Sequence, residues 1–382
     1  MSRRTIFVVG FAATSAAALI LLASPISCSP SSLVEYEPYP VYPLRTDPVV
    51  VANPPTDPTG PAPPGELDAW VRQHTARGGK LADPNHLTDQ QKTSLASTLD
   101  RLFGTPIQPI VYSPKANDLG LSNADELAEA SKLYRRHCSN CHGLTGDGRA
   151  PAGLFVYPHP RDFRLGLTKF GGTADGTPTR NELFRIIKSG IAGTSMPPFQ
   201  LLDDRTVQLL VGSTIHLSLR GEVEAKLIAG LLGDDPPDDL NTEANRLLDR
   251  AIDRWWNAKE IDPPTAVPPL DADRIRRGEQ LFTSAKTGCS SCHVDYGRQD
   301  RYRFDAWGTA AKVANLADRE LRGGSDPAVV HRRIRLGIPA VGMPALPTLT
   351  DDEIWDLTAF VLALPKPMMQ PEDVRAKVQA KP

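Results

Sequence analysis

The stretch HCSNCHG, His137–Gly143, returns in altered form as GCSSCHV, Gly288–Val294. Together these stretches hold four of the chain's five cysteines; the fifth is Cys28. The surroundings repeat as well. ADELAEASKLYRRH places Leu127, Ala130, Leu133 and Tyr134 at helical spacing just before the first motif, and DADRIRRGEQLF does the same with Ile275, Gly278, Leu281 and Phe282 before the second. Downstream, IKSGIAGTSMPPF matches IRLGIPAVGMPAL, so that Gly190 corresponds to Gly337 and Met196 to Met343. Each is followed by Asp-Asp and a helical pattern, DDRTVQLLVGSTIHLSL and DDEIWDLTAFVLAL. Cys138 and Cys289 lie 151 residues apart, Met196 and Met343 147. Offsets this nearly constant mean a duplicated domain of roughly 95 residues.

Cys-x-x-Cys-His is the attachment signature of c-type haem. The spacing follows from the chemistry: two thiols add across the two vinyl groups of one porphyrin edge, and the next residue sits beneath the ring and ligates the iron. Three other chemistries use cysteine pairs. A zinc ribbon needs its pairs much closer than the 147 residues between Cys141 and Cys289. Halves that met in space would still leave both histidines unexplained. A thioredoxin-like pair belongs in a βαβ setting, and these motifs follow helices. Structural disulfides make no demand for the histidines. Two haems, held by Cys138, Cys141, Cys289 and Cys292 with His142 and His293 as proximal ligands, account for every residue of both motifs.

The sixth ligand decides what a haem does. A His/Met pair gives an electron-transfer centre of raised potential; an open position gives ligand binding or peroxide chemistry. Of five methionines, Met1 is first in the chain and Met368 and Met369 fall near its end. Met196 and Met343 fall one per unit, 54 and 50 residues after His142 and His293. Both precede proline, which removes a backbone donor and holds a loop rather than a helix. Equivalent placement in Gly-rich loops makes them the expected distal ligands. His159, His216 and His331 are candidates for the same position, but each lacks a counterpart in the other unit. His74 and His86 stand outside any cluster, and His137, which precedes Cys138, is left unassigned.

The rest of the chain bounds the setting. Net charge is −2 with 23% charged residues, which excludes a strongly basic nucleic-acid binder. Arg3 and Arg4, an apolar run over Ile6–Ala23 and the small residues before Cys28 read as an export signal. Three versions stay open: a lipoprotein signal that acylates Cys28, an uncleaved N-terminal helix, and a plain signal peptide. All three place the body outside the cytoplasm. Residues 29–64 carry 11 prolines and are expected to form an extended tether, on the order of 100 Å long at about 3.1 Å per residue. Helices are expected over Glu66–Ala76 and over Thr88–Phe103, the second with Thr88 as N-cap and Leu95, Leu99 and Leu102 on one face. A connector helix should run through Trp255 and Trp256, on its buried face or between the cofactors.

On these residues each unit resembles a class I cytochrome c domain, over Ala124–Arg220 and Asp271–Leu364. The opening helix, the cysteine motif, the methionine loop and the closing helix come in family order. The resemblance implies a small residue and an aromatic one turn apart where the first and last helices cross: Gly278 with Phe282, and Ala130 with Tyr134. It also implies that the GDGRAP loop offers the Pro151 carbonyl to His142; the second unit has no matching proline. HPRDFRLGLTKF, His159–Phe170, is similar to a segment of membrane-attached bacterial respiratory cytochromes. Arg161 or Lys169 is then a candidate for the haem propionates of the first unit, and Trp307 or an arginine for those of the second; the alternative is a solvated basic surface.

The expected architecture is mainly α. It comprises an export or lipoprotein signal (1–28), a Pro-rich tether (29–65), a helical extension (66–120), cytochrome c domain 1 (121–220), a helical connector (221–270), domain 2 (271–366) and a tail (367–382). The expected function is single-electron transfer between protein redox partners of a bacterial respiratory chain. The chain would work on the periplasmic side of a membrane, as a shuttle or as a subunit of a respiratory complex. The alternative is a dihaem redox enzyme, peroxidase-like or thiosulfate-oxidising.

Overall fold

The computed structural model describes residues 41–54, 67–156, 158–319 and 321–380. The apolar run over 6–23 and Cys28 lie outside them. The fold is mainly α, with helices α1 (Leu67–Ala76), α2 (Asp89–Phe103), α3 (Ala124–His137), α4 (Ser139–His142), α5 (Arg180–Ser189), α6 (Asp204–Leu231), α7 (Leu240–Asn257), α8 (Ala272–Thr283), α9 (Cys289–Cys292), α10 (Pro327–Leu336), α11 (Asp351–Ala363) and α12 (Glu372–Gln379). Two short antiparallel pairs complete it: β1 (Val49–Ala52) with β2 (Lys80–Ala82), and β3 (Tyr302–Phe304) with β4 (Ala310–Lys312).

Two hydrophobic cores form. The first runs from Tyr42 to Trp255 and joins the extension, the first unit and the connector. The second runs from Ile275 to Val378. α2 begins where its sequence signals it: Thr88 and Gln91 close a capping box, and Leu95, Leu99 and Leu102 are fully buried. This face packs on α6 and α7.

In each unit the opening and closing helices cross, α3 on α6 and α8 on α11. A Cβ at Gly278 would collide with the Asp356 carbonyl oxygen, so α8 approaches α11 more closely than any side chain allows. Phe282 then packs edge-on against Phe360, with centroids 5.4 Å apart. In the first unit Ala130 and Tyr134 are buried at the equivalent turn, and the Tyr134 hydroxyl donates to the Gly143 carbonyl at 2.8 Å.

Three stretches depart from expectation. The part of the 29–65 stretch that is described, 41–54, is packed rather than free. Val49 and Tyr42 are buried, β1 pairs with β2, and Asp47 bonds both nitrogens of the Arg164 fork at 2.8 and 3.0 Å. Proline removes its own N–H but leaves neighbouring residues free to pair and to bury side chains. α6 runs through the expected boundary at residue 220, for 28 residues. Nothing breaks it there: Arg220 and Glu224 form a buried i,i+4 ion pair at 2.9 Å, and Glu222 pairs with Arg254 of α7. The stretch 367–382 contains α12, which buries Val374 and Val378 and pairs Lys377 with Glu279 of α8 at 2.7 Å. Among the described residues no helix is long and apolar enough to cross a membrane.

Candidate functional site

Cys138 ends α3 and the motif turns directly into α4, with the His142 N–H donating to the Cys138 carbonyl at 2.9 Å. The chain then doubles back through Gly143, Gly146 and Gly148, all at positive φ. This return brings the segment around Arg161 under the His142 ring. His142 Nδ1 lies 3.0 Å from the Arg161 carbonyl oxygen. A carbonyl only accepts, so Nδ1 carries the proton and Nε2 keeps its lone pair. The expected acceptor, Pro151, is therefore corrected to Arg161. Phe163 stacks on the His142 ring at 4.5 Å with 22° between planes.

The second motif reaches the same arrangement. His293 Nδ1 lies 3.0 Å from the Ala314 carbonyl oxygen. The Leu316 N–H bonds Tyr296 as the Phe163 N–H bonds Gly146, so Leu316 stands where Phe163 does. Burial lowers the pKa of both His142 and His293, which favours the neutral imidazole a metal needs. Burial, with Cys141 beside it, pushes the Cys138 thiol up to about 12, and burial raises Cys289. All four motif cysteines are free of disulfides.

The two methionine loops are built alike. Helices α5 and α10 end at Gly190 and Gly337, at φ 67° and 69°. A Cβ at either would collide with the carbonyl oxygen of Met196 or Met343. Across each loop an isoleucine N–H donates to that methionine carbonyl, Ile191 at 3.2 Å and Ile338 at 2.9 Å. Only glycine satisfies both the dihedral and the approach.

Each set opens on a cavity. The first, about 230 Å³, is lined by Cys138, Cys141, His142 and Met196. The second, about 280 Å³, is lined by Cys289, His293 and Met343. Cys292 lies outside that lining and accepts from Arg303 Nη1 at 3.3 Å. Among the described residues no three His, Cys, Asp or Glu side chains converge as a metal cage, and Cys138 and Cys141 line one cavity while Cys289 lines the other.

The walls fit a haem. They are largely apolar, with Ile186, Ile187 and Leu183 in the first cavity and Val330, Leu357 and Val361 in the second. Trp255 Nε1 and Thr168 Oγ1 are buried on the first cavity without hydrogen-bond partners among the described residues. Such orphaned donors await an acceptor that an acidic cofactor edge supplies.

The other candidates separate. His137 and His159 also line the first cavity. His216 is buried away from it and bonds the Phe103 and Ile110 carbonyls, both at 3.0 Å. His331 packs on Trp355 at 4.3 Å. Of the tryptophan pair, Trp255 is buried and Trp256 is 61% exposed. Trp307 reaches across to the first unit, with its Nε1 donating to the Asp162 carbonyl at 3.2 Å and its ring beneath Arg161 at 4.2 Å. The residues that sequence reasoning missed are the backbone acceptors at Arg161 and Ala314, the ring stack of Phe163 and the Trp255 donor.

Two cavities, each framed by a thiol-histidine motif and a methionine loop between crossed helices, define a tandem c-type cytochrome. The model of the family described as cytochrome c oxidase, cbb3-type, subunit III matches twice, over residues 125–212 and 273–361. A chain of the Kuenenia stuttgartiensis reducing HAO-like protein complex is similar at 24% identity and a TM-score of 0.47, covering 62% of this chain and 95% of that one. A likeness this distant speaks to neither function nor partners. No curated protein matches the chain. The two matched stretches are class I cytochrome c domains in tandem, with two covalently bound haems c and electron transfer as their chemistry.

Proposed function

We propose that the protein is an electron carrier that passes single electrons between protein redox partners of a bacterial respiratory chain. The reading rests on one observation: each cavity is lined by one motif histidine and one loop methionine, His142 with Met196 and His293 with Met343. Bound haem supplies the one-electron ferric/ferrous couple. Cys138, Cys141, Cys289 and Cys292 tether it. The Arg161 and Ala314 carbonyls fix the tautomer that presents Nε2 of His142 and His293. Met196 and Met343 would each offer the iron a thioether, which would favour the ferrous state and would leave no room for peroxide.

The proposed setting is the periplasmic side of a bacterial membrane, with the anchor at Cys28 or in the apolar run before it. The alternative is a dihaem enzyme. His137 and His159 share the first cavity with Met196 and would compete with it as ligands, whereas no histidine but His293 lines the second among the described residues. Peroxide turnover by the purified dihaem protein decides between them. A carrier reduces peroxide slowly while exchanging electrons rapidly with small one-electron reagents. Rapid peroxide reduction would overturn the carrier reading.

A further inference from the structure

Three residues, Lys169, Phe170 and Arg322, line both cavities. They come from different units. Lys169 and Phe170 follow the His142 acceptor loop, and Arg322 precedes α10. The junction between the units is closely fitted. The Gly323 N–H donates to the Ala192 carbonyl, in the Met196 loop, at 2.9 Å. A Cβ at Gly323 would stand 2.9 Å from the Phe170 ring, so this glycine lets the ring pass. Arg333 lies over Phe170 at 5.2 Å, with Lys169 Nζ 5.6 Å from the same ring.

Several cations meet at this junction. Among the described residues no carboxylate pairs with Lys169, Arg161 or Arg333. Burial, then Arg161 and Arg322, holds Lys169 down to about 8. Burial, then Arg332, holds Arg333 down to about 10. Asp305 faces the cluster, but its carboxylate accepts from the Trp307 and Thr309 N–H groups and the Thr309 hydroxyl. Partly buried cations without carboxylates are stable when an anion completes them. Each haem has two propionates.

We propose that the Lys169–Phe170–Arg322 wall is a shared element of both haem sites, its cations facing the propionate edge of each and its phenyl ring filling the space between. This rests on the dihaem reading above. A charge on the wall then acts on both irons, although it belongs to one unit by sequence. Removing a positive charge favours the ferric state and lowers the potential of whichever iron feels it.

The test uses the full-length holoprotein, with haem content fixed first by mass and by the pyridine haemochrome. A content other than two haems would count against the dihaem reading itself. With two haems present, spectroelectrochemical titration compares wild type with Lys169→Gln, Lys169→Arg and Arg319→Gln; Arg319 lines the second cavity alone. Lys169→Gln should lower both midpoint potentials, changing each ferrous-to-ferric ratio about tenfold at fixed potential, 59 mV for a one-electron couple. Lys169→Arg should restore both, and Arg319→Gln should move one. A Lys169→Gln protein in which one potential stays at its wild-type value would overturn the shared wall. So would Arg319→Gln moving both equally, since any nearby charge would then suffice.

Discussion

The loop after His142 turns on Gly143, Gly146 and Gly148; the loop after His293 turns on Asp295 and Tyr296, at φ 49° and 55°. Both deliver a backbone carbonyl to the histidine Nδ1 at 3.0 Å. The first loop adopts left-handed backbone with glycine and so without strain. The second does so with side chains, at a cost of about 1 kcal/mol each. What offsets that cost is visible: Tyr296 packs between Phe282 and Phe360 at 5.8 and 5.9 Å, and Arg298 pairs with Asp295 at 3.1 Å while donating to the Val378 carbonyl. The helix crossings show the opposite bias. The first unit crosses on Ala130; the second uses Gly278 and approaches so closely that it tolerates nothing larger. The requirement is the position of the carbonyl, and each unit meets it with different residues.

The largest expected effect breaks the comparison altogether. Cys138→Ser with Cys141→Ser should leave a protein with one haem by mass, held by the second unit, and the converse pair should leave the first. Loss of both haems from either pair would show that the units do not load independently.

Next, Gly278→Ala should destabilise the second unit by about 3 kcal/mol through overpacking against α11. Ala130→Gly should cost the first about 1 kcal/mol. Thermal unfolding read at the haem bands measures both, and equal costs would mean that the crossings are alike after all.

Acid separates the units a third way. Burial alone would raise the Asp47 carboxyl, but Arg164 and Arg45 overcome it and hold it at about 2, against an ordinary 3.8. A carboxyl depressed on folding stabilises above its unfolded pKa, and that contribution is lost as pH falls through the folded value. The first unit should therefore lose about 2 kcal/mol between about pH 4 and pH 2, and Asp47→Asn should abolish that slope. A slope unchanged in Asp47→Asn would remove Asp47 as its source.

The smallest effect sharpens the ring stack. Phe163→Leu makes the first site resemble the second and should cost about 1 kcal/mol, with the His142 ring resonances broadened in the NMR spectrum of the ferrous protein. Unchanged stability would mean that the stack is incidental.

Much of this was legible in the sequence because it repeats. The motif pair, the glycine–methionine loops and the Gly278–Phe282 crossing each depend on residue identity, and Thr88 announced α2. The acceptors of His142 and His293 were not legible, because a backbone carbonyl leaves no mark on the residue that bears it: arginine in one unit, alanine in the other. Pro151 drew attention as a side chain would, and the bond goes elsewhere. The packing of 41–54 was hidden behind prolines, since its partners Arg164 and Glu224 lie over a hundred residues away. The Lys169–Phe170–Arg322 wall joins two units whose docking no local pattern encodes.

The central claim is that both irons take one histidine and one methionine, and the weak near-infrared charge-transfer band of a methionine–ferric haem reads it directly. Magnetic circular dichroism of the oxidised dihaem protein should show this band at an intensity matching two haems. Met196→Ala and Met343→Ala should each remove about half of it and lower one midpoint potential. A wild-type band matching a single haem, or one untouched by either substitution, would contradict the account.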